Sequence, residues 1–149
     1  MEKKKDIEQD IVRQKIQIMH DLQEKLNERT KDHWREAKFD WYRAIWVECA
    51  ELLDHYGWKW WKKQDPDTDQ VKLEIIDIWH FVLSDYMQRN FSTYVVNTAA
   101  LAYYHSTRSG SIRKSIEKVA SDALTTRSAN FNNFFDMMYE FDMDLDDLF

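Results

Sequence analysis

The sequence predicts an all-α protein: a helical bundle with two antiparallel, metal-binding helices at its centre. Only two glycines and one proline occur in 149 residues, so few tight turns are available. Apolar residues recur at intervals of three and four along most of the chain, as one face of a helix requires. Two predicted helices, 39–56 and 70–88, also carry carboxylates on faces that are otherwise apolar. We expect a single domain over residues 1–149.

The first predicted helix covers residues 7–27 and is amphipathic. Its apolar side chains recur at helical spacing, at Ile7, Ile11, Ile18, Leu22 and Leu26. We expect most of its polar residues to be solvated. Residues 28–38 are polar and are predicted to form a loop or a broken helix, with Trp34 as an anchor in the core.

The two central helices carry four carboxylates in two pairs, each pair spaced by three residues. Between residues 73 and 83 the polar exceptions are Glu74, Asp77 and His80. In the preceding helix, Glu48 lies within the apolar face and Glu51 follows one turn later. A buried carboxylate is costly unless a cation or several donors compensate it, and these helices hold too few basic residues. Because all-oxygen ligation favours hard cations, we expect Mg²⁺ or Mn²⁺ rather than zinc.

The ends of these helices have their own signals. Gly57 is placed to end the first central helix, because glycine favours the position just after a helix. The run 64–69 is predicted to form a turn, with Asp69 capping the second central helix.

The sequence around the carboxylates resembles that of a known family. The pairs Glu48-x-x-Glu51 and Glu74-x-x-Asp77 are accompanied by ECAELLD at 48–54, WKWWK at 58–62 and EIIDIWHFVLS at 74–84. Together they resemble the dimeric all-α dUTPases and their phage dCTPase/dUTPase relatives, within the all-α NTP pyrophosphohydrolase superfamily. The resemblance implies a homodimer that hydrolyses dUTP to dUMP and pyrophosphate with Mg²⁺. It also implies that all four carboxylates bind the metal and that Glu51 orients or deprotonates the attacking water.

The resemblance further implies which residues bind the base. LQEKLN at 22–27 is similar to the family's first motif, in which a glutamine reads the pyrimidine, here Gln23. Asn27, one turn on, would support it. His80 would lie against the nucleoside or support a ligand carboxylate, and Phe81 would touch the base.

The WKWWK segment is the expected phosphate-binding loop. On its own it favours an aromatic cluster with solvated lysines. Beside a carboxylate site, and with the resemblance, Lys59 and Lys62 would bind the triphosphate oxygens as point charges. Trp58 or Trp61 would shield the site.

The second half of the chain resembles the family less closely. Residues 91–128 correspond to a variable helical insertion, and the Phe- and Met-rich segment 131–141 is expected to lie in the core or at a dimer interface. Dimeric dUTPases continue past a segment similar to 142–149 into a Tyr/Lys/Asn motif and a tail with Arg and Gly. Without these motifs, we expect turnover to be affected more than the fold or metal binding.

Composition excludes several classes of partner. A net charge of −6 argues against nucleic acid, and no apolar run approaches the ~20 residues of a membrane span. The single cysteine, Cys49, excludes an internal disulfide and suits a reducing cytoplasm. The basic start MEKKKD leads into a charged helix and is not typical of a signal peptide. We expect a cytoplasmic protein.

Three alternatives remain open. In the first, the substrate is dCTP or another dNTP rather than dUTP, because a glutamine amide can present either of its edges to a base. The protein is a non-catalytic helical bundle whose carboxylates bind ions structurally. The third alternative is a ferritin-like di-iron carboxylate protein. Such a protein would need Glu-x-x-His on each of two helices, and this chain has only Asp77-x-x-His80.

Overall fold

The computed structural model describes residues 2–149, with side chains from residue 8 onward, and is built from helices. In chain order they are α1 (Glu2–Thr30), α2 (Trp41–Tyr56), α3 (Thr68–Arg89), α4 (Ser92–Tyr104), α5 (Ile112–Thr126), α6 (Phe131–Glu140) and a 3₁₀ helix, η1 (Leu145–Leu148). No strand occurs among residues 2–149, which confirms the all-α prediction. In the same part of the chain, every helix is too short or too polar to cross a membrane.

The antiparallel packing of α2 and α3 organises the bundle. At one end, the indole Nε1 of Trp41 donates to Gln88 Oε1 over 3.0 Å. At the other end, His55 Nδ1 lies 2.6 Å from Glu74 Oε1. Since α3 also contacts α1, α4, α6 and η1, it is the central helix, as its continuous apolar run predicts.

The caps of the two helices confirm one prediction and correct another. Gly57 follows α2 with φ +105°, a region that side chains rarely adopt, and its N–H donates to Leu53 O. The N-cap of α3 is Asp67, whose carboxylate accepts from Gln70 N over 3.3 Å. Asp69 lies in the first turn of the helix, so the prediction that it caps α3 is wrong.

The aromatic α6 closes the core over α3. Trp79 is fully buried and stacks on Phe134 with ring centroids 5.6 Å apart. Phe131 and Phe135 contact the same indole at 6.0 and 5.4 Å. The Phe- and Met-rich segment is therefore core.

Helix α1 turns its predicted apolar face outward. Ile11, Ile18, Leu22 and Leu26 are between 46% and 56% exposed, and Ile7 lies outside the residues whose side chains are described. The buried face of α1 instead combines the apolar Ile16 and Met19 with three polar side chains, His20, Gln23 and Asn27. Polar groups of α1 are therefore directed at the rest of the bundle, and an apolar stripe faces outward.

Candidate metal and nucleotide site

Three carboxylates from α2 and α3 converge on one point. Glu48 and Glu51 are one turn apart on α2, and Glu74 approaches them from α3, so that one oxygen of each lies within 4.8 Å of the others. Glu48 Oε2 and Glu74 Oε2 are buried and have no hydrogen-bond partner within the described chain. Buried carboxylate oxygens are normally partnered, so these atoms fit a cation. The oxygen-only donor set fits a hard divalent ion.

Without a cation, the negative charges of the cluster repel one another. Burial, and then the negative charges of Glu51, Asp77 and Glu74, raise the pKa of Glu48 to about 7. Burial also raises the pKa of Glu74. In the absence of metal, part of the population therefore holds a proton on Glu48 at neutral pH.

Asp77 lies at the border of this cluster. It is exposed, one turn after Glu74, and is not among the three residues whose oxygens converge. Its charge nevertheless acts on Glu48, and its side chain lines the adjoining cavity. Asp77 thus connects the cluster to the cavity.

His55 is a member of the site that we did not predict from the sequence. Its Nδ1 lies 2.6 Å from Glu74 Oε1. Burial opposes the charged ring, but the hydrogen bond and the charge of Glu74 outweigh it and raise the pKa of His55. The available signal was its position four residues after Glu51, which puts both on one face of α2.

A cavity of about 280 Å³ adjoins the cluster, toward the C-terminal end of α3. Aromatic side chains form one side, at Trp34, Phe39, Trp41 and Phe81. Polar side chains form another, at Gln23, Asn27, His80 and Ser84. The combination of flat apolar walls and a few polar groups is typical of a small-molecule site. Phe39, Trp41, Trp34 and Ser84 were not among the predicted binding residues.

The polar side of the cavity is a continuous hydrogen-bonded relay. His80 Nδ1 lies 2.5 Å from Gln23 Oε1. Gln23 Nε2 donates to Asn27 Oδ1 over 2.9 Å, and Asn27 Nδ2 donates to Ser84 Oγ over 3.0 Å. Gln23, Asn27 and Ser84 are buried and His80 is half-buried. This relay, His80–Gln23–Asn27–Ser84, joins α1 to α3.

The predicted phosphate-binding residues lie on the loop between α2 and α3. Lys59 is half-buried, while Trp61 and Lys62 are exposed. Trp61 packs against Trp58 with ring centroids 5.5 Å apart. Within the described residues, no ion pair joins these lysines to the carboxylate cluster, so their roles stay predictions.

The helical fold thus carries an acidic cluster that fits a divalent cation, beside a cavity whose size and lining fit a small molecule. A family model described as dUTPase matches residues 15–149, and the chain therefore belongs to this family. The match covers nine-tenths of the sequence and supports hydrolysis of dUTP in general. A search of curated proteins finds no match.

Proposed function

We propose that this protein hydrolyses dUTP to dUMP and pyrophosphate with Mg²⁺, or Mn²⁺, held by Glu48, Glu51, Glu74 and Asp77. The observation that carries the proposal is the pair of buried, unpartnered carboxylate oxygens beside a cavity with a polar relay. The first feature calls for a cation and the second for a planar, hydrogen-bonding ligand. A nucleoside triphosphate bound to a divalent ion satisfies both.

The carboxylates have distinct tasks in this proposal. When bound, the metal supplies positive charge that offsets the charge developing on the phosphate oxygens. Glu51 is the exposed member of the converging three, so water reaches it most easily. It orients or deprotonates the attacking water. His55 holds Glu74 in place through its 2.6 Å contact.

The nucleoside occupies the cavity. The base packs against the aromatic wall of the cavity, which consists of Trp34, Phe39, Trp41 and Phe81. In this wall, Phe81 and Trp41 have ring centroids 6.3 Å apart. Gln23 reads the pyrimidine edge, Asn27 supports Gln23, and His80 lies beside them. His80 and Phe81 follow Asp77 along α3, so a nucleoside beside them leaves the phosphates at the Asp77 end of the cavity, next to the carboxylates.

The loop between α2 and α3 contributes to phosphate binding. Lys59 and Lys62 offset the remaining charge of the triphosphate, and Trp61 covers the site. The exposure of Trp61 and Lys62 supports this, because neither is committed to the core.

The enzyme is a homodimer in this proposal. The exposed stripe on α1 (Ile11, Ile18, Leu22 and Leu26) runs along its outer face, and a second copy would bury it. Leu26 also lines the nucleoside cavity, so the dimer contact and the site adjoin. Leu22→Asp should convert the dimer to a monomer in sedimentation experiments, whereas Leu124→Asp, at an equally exposed leucine on α5, should not. A monomeric native chain would contradict this part of the proposal.

The decisive experiment measures pyrophosphate release from each dNTP with Mg²⁺ and with EDTA. We expect release from dUTP that requires the metal, and a loss of about 10²- to 10⁴-fold in Glu51→Gln with the helical content unchanged. Glu117→Gln, at an exposed carboxylate on α5, is the matched control. Release that survives both EDTA and Glu51→Gln would overturn the mechanism. Tight Mg²⁺ binding without turnover of any dNTP would favour the non-catalytic alternative instead.

A further inference from the structure

We infer that a second cavity, which adjoins the aromatic wall, binds a nucleoside monophosphate, with the phosphate on Lys38 and Arg127. This cavity has a volume of about 390 Å³ and lies beside the last turns of α3. It shares Phe39 and Trp41 with the nucleoside cavity and is the larger of the two. The inference does not depend on the reaction assigned to the carboxylate cluster, because that cluster lies toward the other end of α3.

The lining of the second cavity is positively charged on a protein whose net charge is −6. Four cationic side chains contribute to it, against two carboxylates. The cations are Arg35, Lys38, Arg89 and Arg127, and the carboxylates are Asp40 and Asp85. A local excess of positive charge with the opposite sign to the whole protein attracts anions to one place.

Two of the four cations are held in place by carboxylates. Arg35 binds both oxygens of Glu24, over 2.6 and 2.5 Å. Arg89 Nη2 donates to the buried Asp85 over 2.5 Å. Among the described residues, Nε and Nη1 of Arg89 donate to no protein group, so this fixed guanidinium keeps donors for a ligand.

The other two cations, Lys38 and Arg127, are not neutralised in this way. Within residues 8–149, neither side chain forms an ion pair or a hydrogen bond. The nearby Asp40 does not compensate them, because its carboxylate pairs with Arg43 over 2.7 Å. The cavity therefore presents two uncompensated positive charges.

The backbone holds both of these residues in a conformation that neither residue type favours. Lys38 has φ +51° and Arg127 has φ +55°. Asparagine, aspartate and histidine are enriched at such angles, and the other two non-glycine cases in the described chain are His33 and Asp142. The end of α5 explains the conformation at Arg127 but not the choice of arginine. The two cases that residue type leaves unexplained thus line the same cavity, which indicates a requirement for their charges.

The rest of the lining limits the class of anion. Phe39 is 42% exposed and Tyr42 is half-buried, so both rings have free surface toward the cavity. A flat ring packs on such aromatic surface, and a phosphate has enough oxygens to bind two cations at once. The volume lies in the range of small-molecule sites. A nucleoside monophosphate carries both the ring and the phosphate.

The test measures the binding of AMP, adenosine and inorganic phosphate by calorimetry, with EDTA present so that the carboxylate cluster holds no metal. We expect AMP to bind the native chain more tightly than adenosine or phosphate does. Lys38→Asn and Arg127→Asn should each lower the affinity for AMP about 10-fold, because each removes one charge-assisted hydrogen bond. Lys31→Asn removes the same charge from an exposed residue of the nucleoside cavity, so it should leave the affinity unchanged.

Asparagine at these two positions also controls for folding. Because asparagine adopts a positive φ more readily than lysine or arginine, Lys38→Asn and Arg127→Asn should unfold at the same temperature as the native chain or at a higher one. A lower affinity for AMP in a variant of equal or greater thermal stability is then a loss of the site and not of the fold.

Several outcomes would overturn the inference. They are a native chain that does not bind AMP, adenosine or phosphate that binds as tightly as AMP, and an unchanged affinity in both Lys38→Asn and Arg127→Asn. An equal loss in Lys31→Asn would also overturn it, because AMP would then occupy the nucleoside cavity. None of these outcomes depends on pyrophosphate release from dUTP, so this inference and the proposed function fail separately.

Discussion

The two halves of the groove along α3 satisfy their polar groups in opposite ways. At the Glu74 end, carboxylates crowd together and two buried oxygens have no partner in the described chain. At the Ser84 end, His80, Gln23 and Asn27 form a relay in which each amide both donates and accepts. We call the Glu74 end the incomplete end, because its buried oxygens have no partner without a ligand. We call the Ser84 end the complete end, because its polar groups are satisfied without one.

This difference separates two tasks. The negative charges at the carboxylate end repel one another, so a cation bound there would stabilise this end and would couple metal binding to folding. The relay is fixed before the ligand arrives, so it can discriminate between ligands without first being ordered. The predictions that follow alter one end at a time, and the largest effects are expected at the incomplete end.

Removal of one convergent charge should have the largest effect. Glu74→Gln replaces the most buried carboxylate and also loses its ion pair with His55. Because even outer partners of a metal site are worth about 10- to 100-fold, we expect Mg²⁺ affinity and dUTP hydrolysis to fall about 100-fold or more. Calorimetry with Mg²⁺ and a pyrophosphate assay would measure both. Unchanged Mg²⁺ affinity would show that the incomplete end is not a metal site.

Metal affinity should depend on pH through Glu48. Its pKa of about 7 means that below this pH the metal must displace a proton. We expect the affinity for Mg²⁺ to rise with pH, by up to about 10-fold per unit below pH 7, and to level off above it. Calorimetry in buffers of different ionisation enthalpy should detect proton release at pH 6 and little at pH 8. Release that does not change with pH would contradict the assigned role of Glu48.

Without metal, the carboxylate cluster should make the fold less stable as pH rises. The pKa of Glu48 is above its ordinary value of 4.5, so the folded state holds a proton that the unfolded state has released. Stability should therefore fall between pH 5 and 7 and level off above pH 7. Allowing for solvent screening, we expect Glu48→Gln to be about 1–2 kcal/mol more stable than the native chain at pH 8. Urea unfolding in EDTA would measure this, and a destabilised variant would contradict it.

The smallest effect is expected where the aromatic wall is attached to α3. Gln88 Oε1 accepts from Phe39 N and from Trp41 Nε1, each over 3.0 Å, and its Nε2 donates to Phe39 O. Gln88→Leu should cost about 1 kcal/mol, since these groups are partly exposed and water replaces some of the bonds. Hydrogen exchange should become faster in residues 36–41, and dUTP should bind more weakly while kcat changes little. Asn90→Leu, at an exposed residue just after α3, is the control.

An unchanged exchange rate in Gln88→Leu would show that the wall is held by its aromatic contacts. Phe39 and Trp41 have ring centroids 5.7 Å apart, and Trp34 and Trp41 6.1 Å apart. These edge-to-face contacts are the alternative support for the wall. In that case these ring contacts, and not the hydrogen bonds of Gln88, would hold the aromatic wall of the complete end in place.

Local patterns in the sequence were sufficient to predict the helices and the carboxylate pairs. The period of apolar residues gave α3 as 70–88, against Thr68–Arg89 in the structure. The end of α2 at Gly57 was also predictable, because a positive φ favours glycine locally. Spacing of three residues places Glu48 beside Glu51 on any helix. All of these follow from interactions between residues that are near in sequence.

The choice of the α1 face was not predictable from the same patterns. Apolar periodicity favoured burial of Leu22 and Leu26, yet both are about half exposed. Gln23 and Asn27 are buried in their place, because partners 57 residues away satisfy their amides. No local rule contains those partners.

Sequence alone therefore determined the class of fold, the family resemblance and the carboxylate pairs that we propose as metal ligands. Only the tertiary structure decided that His55 supports Glu74, that Asp67 rather than Asp69 caps α3, and that Asp77 lies outside the convergent three. It also decided the relay through Gln23 and the separation of the complete and incomplete ends. The physical reason is that helix formation depends on nearby residues, whereas the satisfaction of buried polar groups depends on groups brought together by packing.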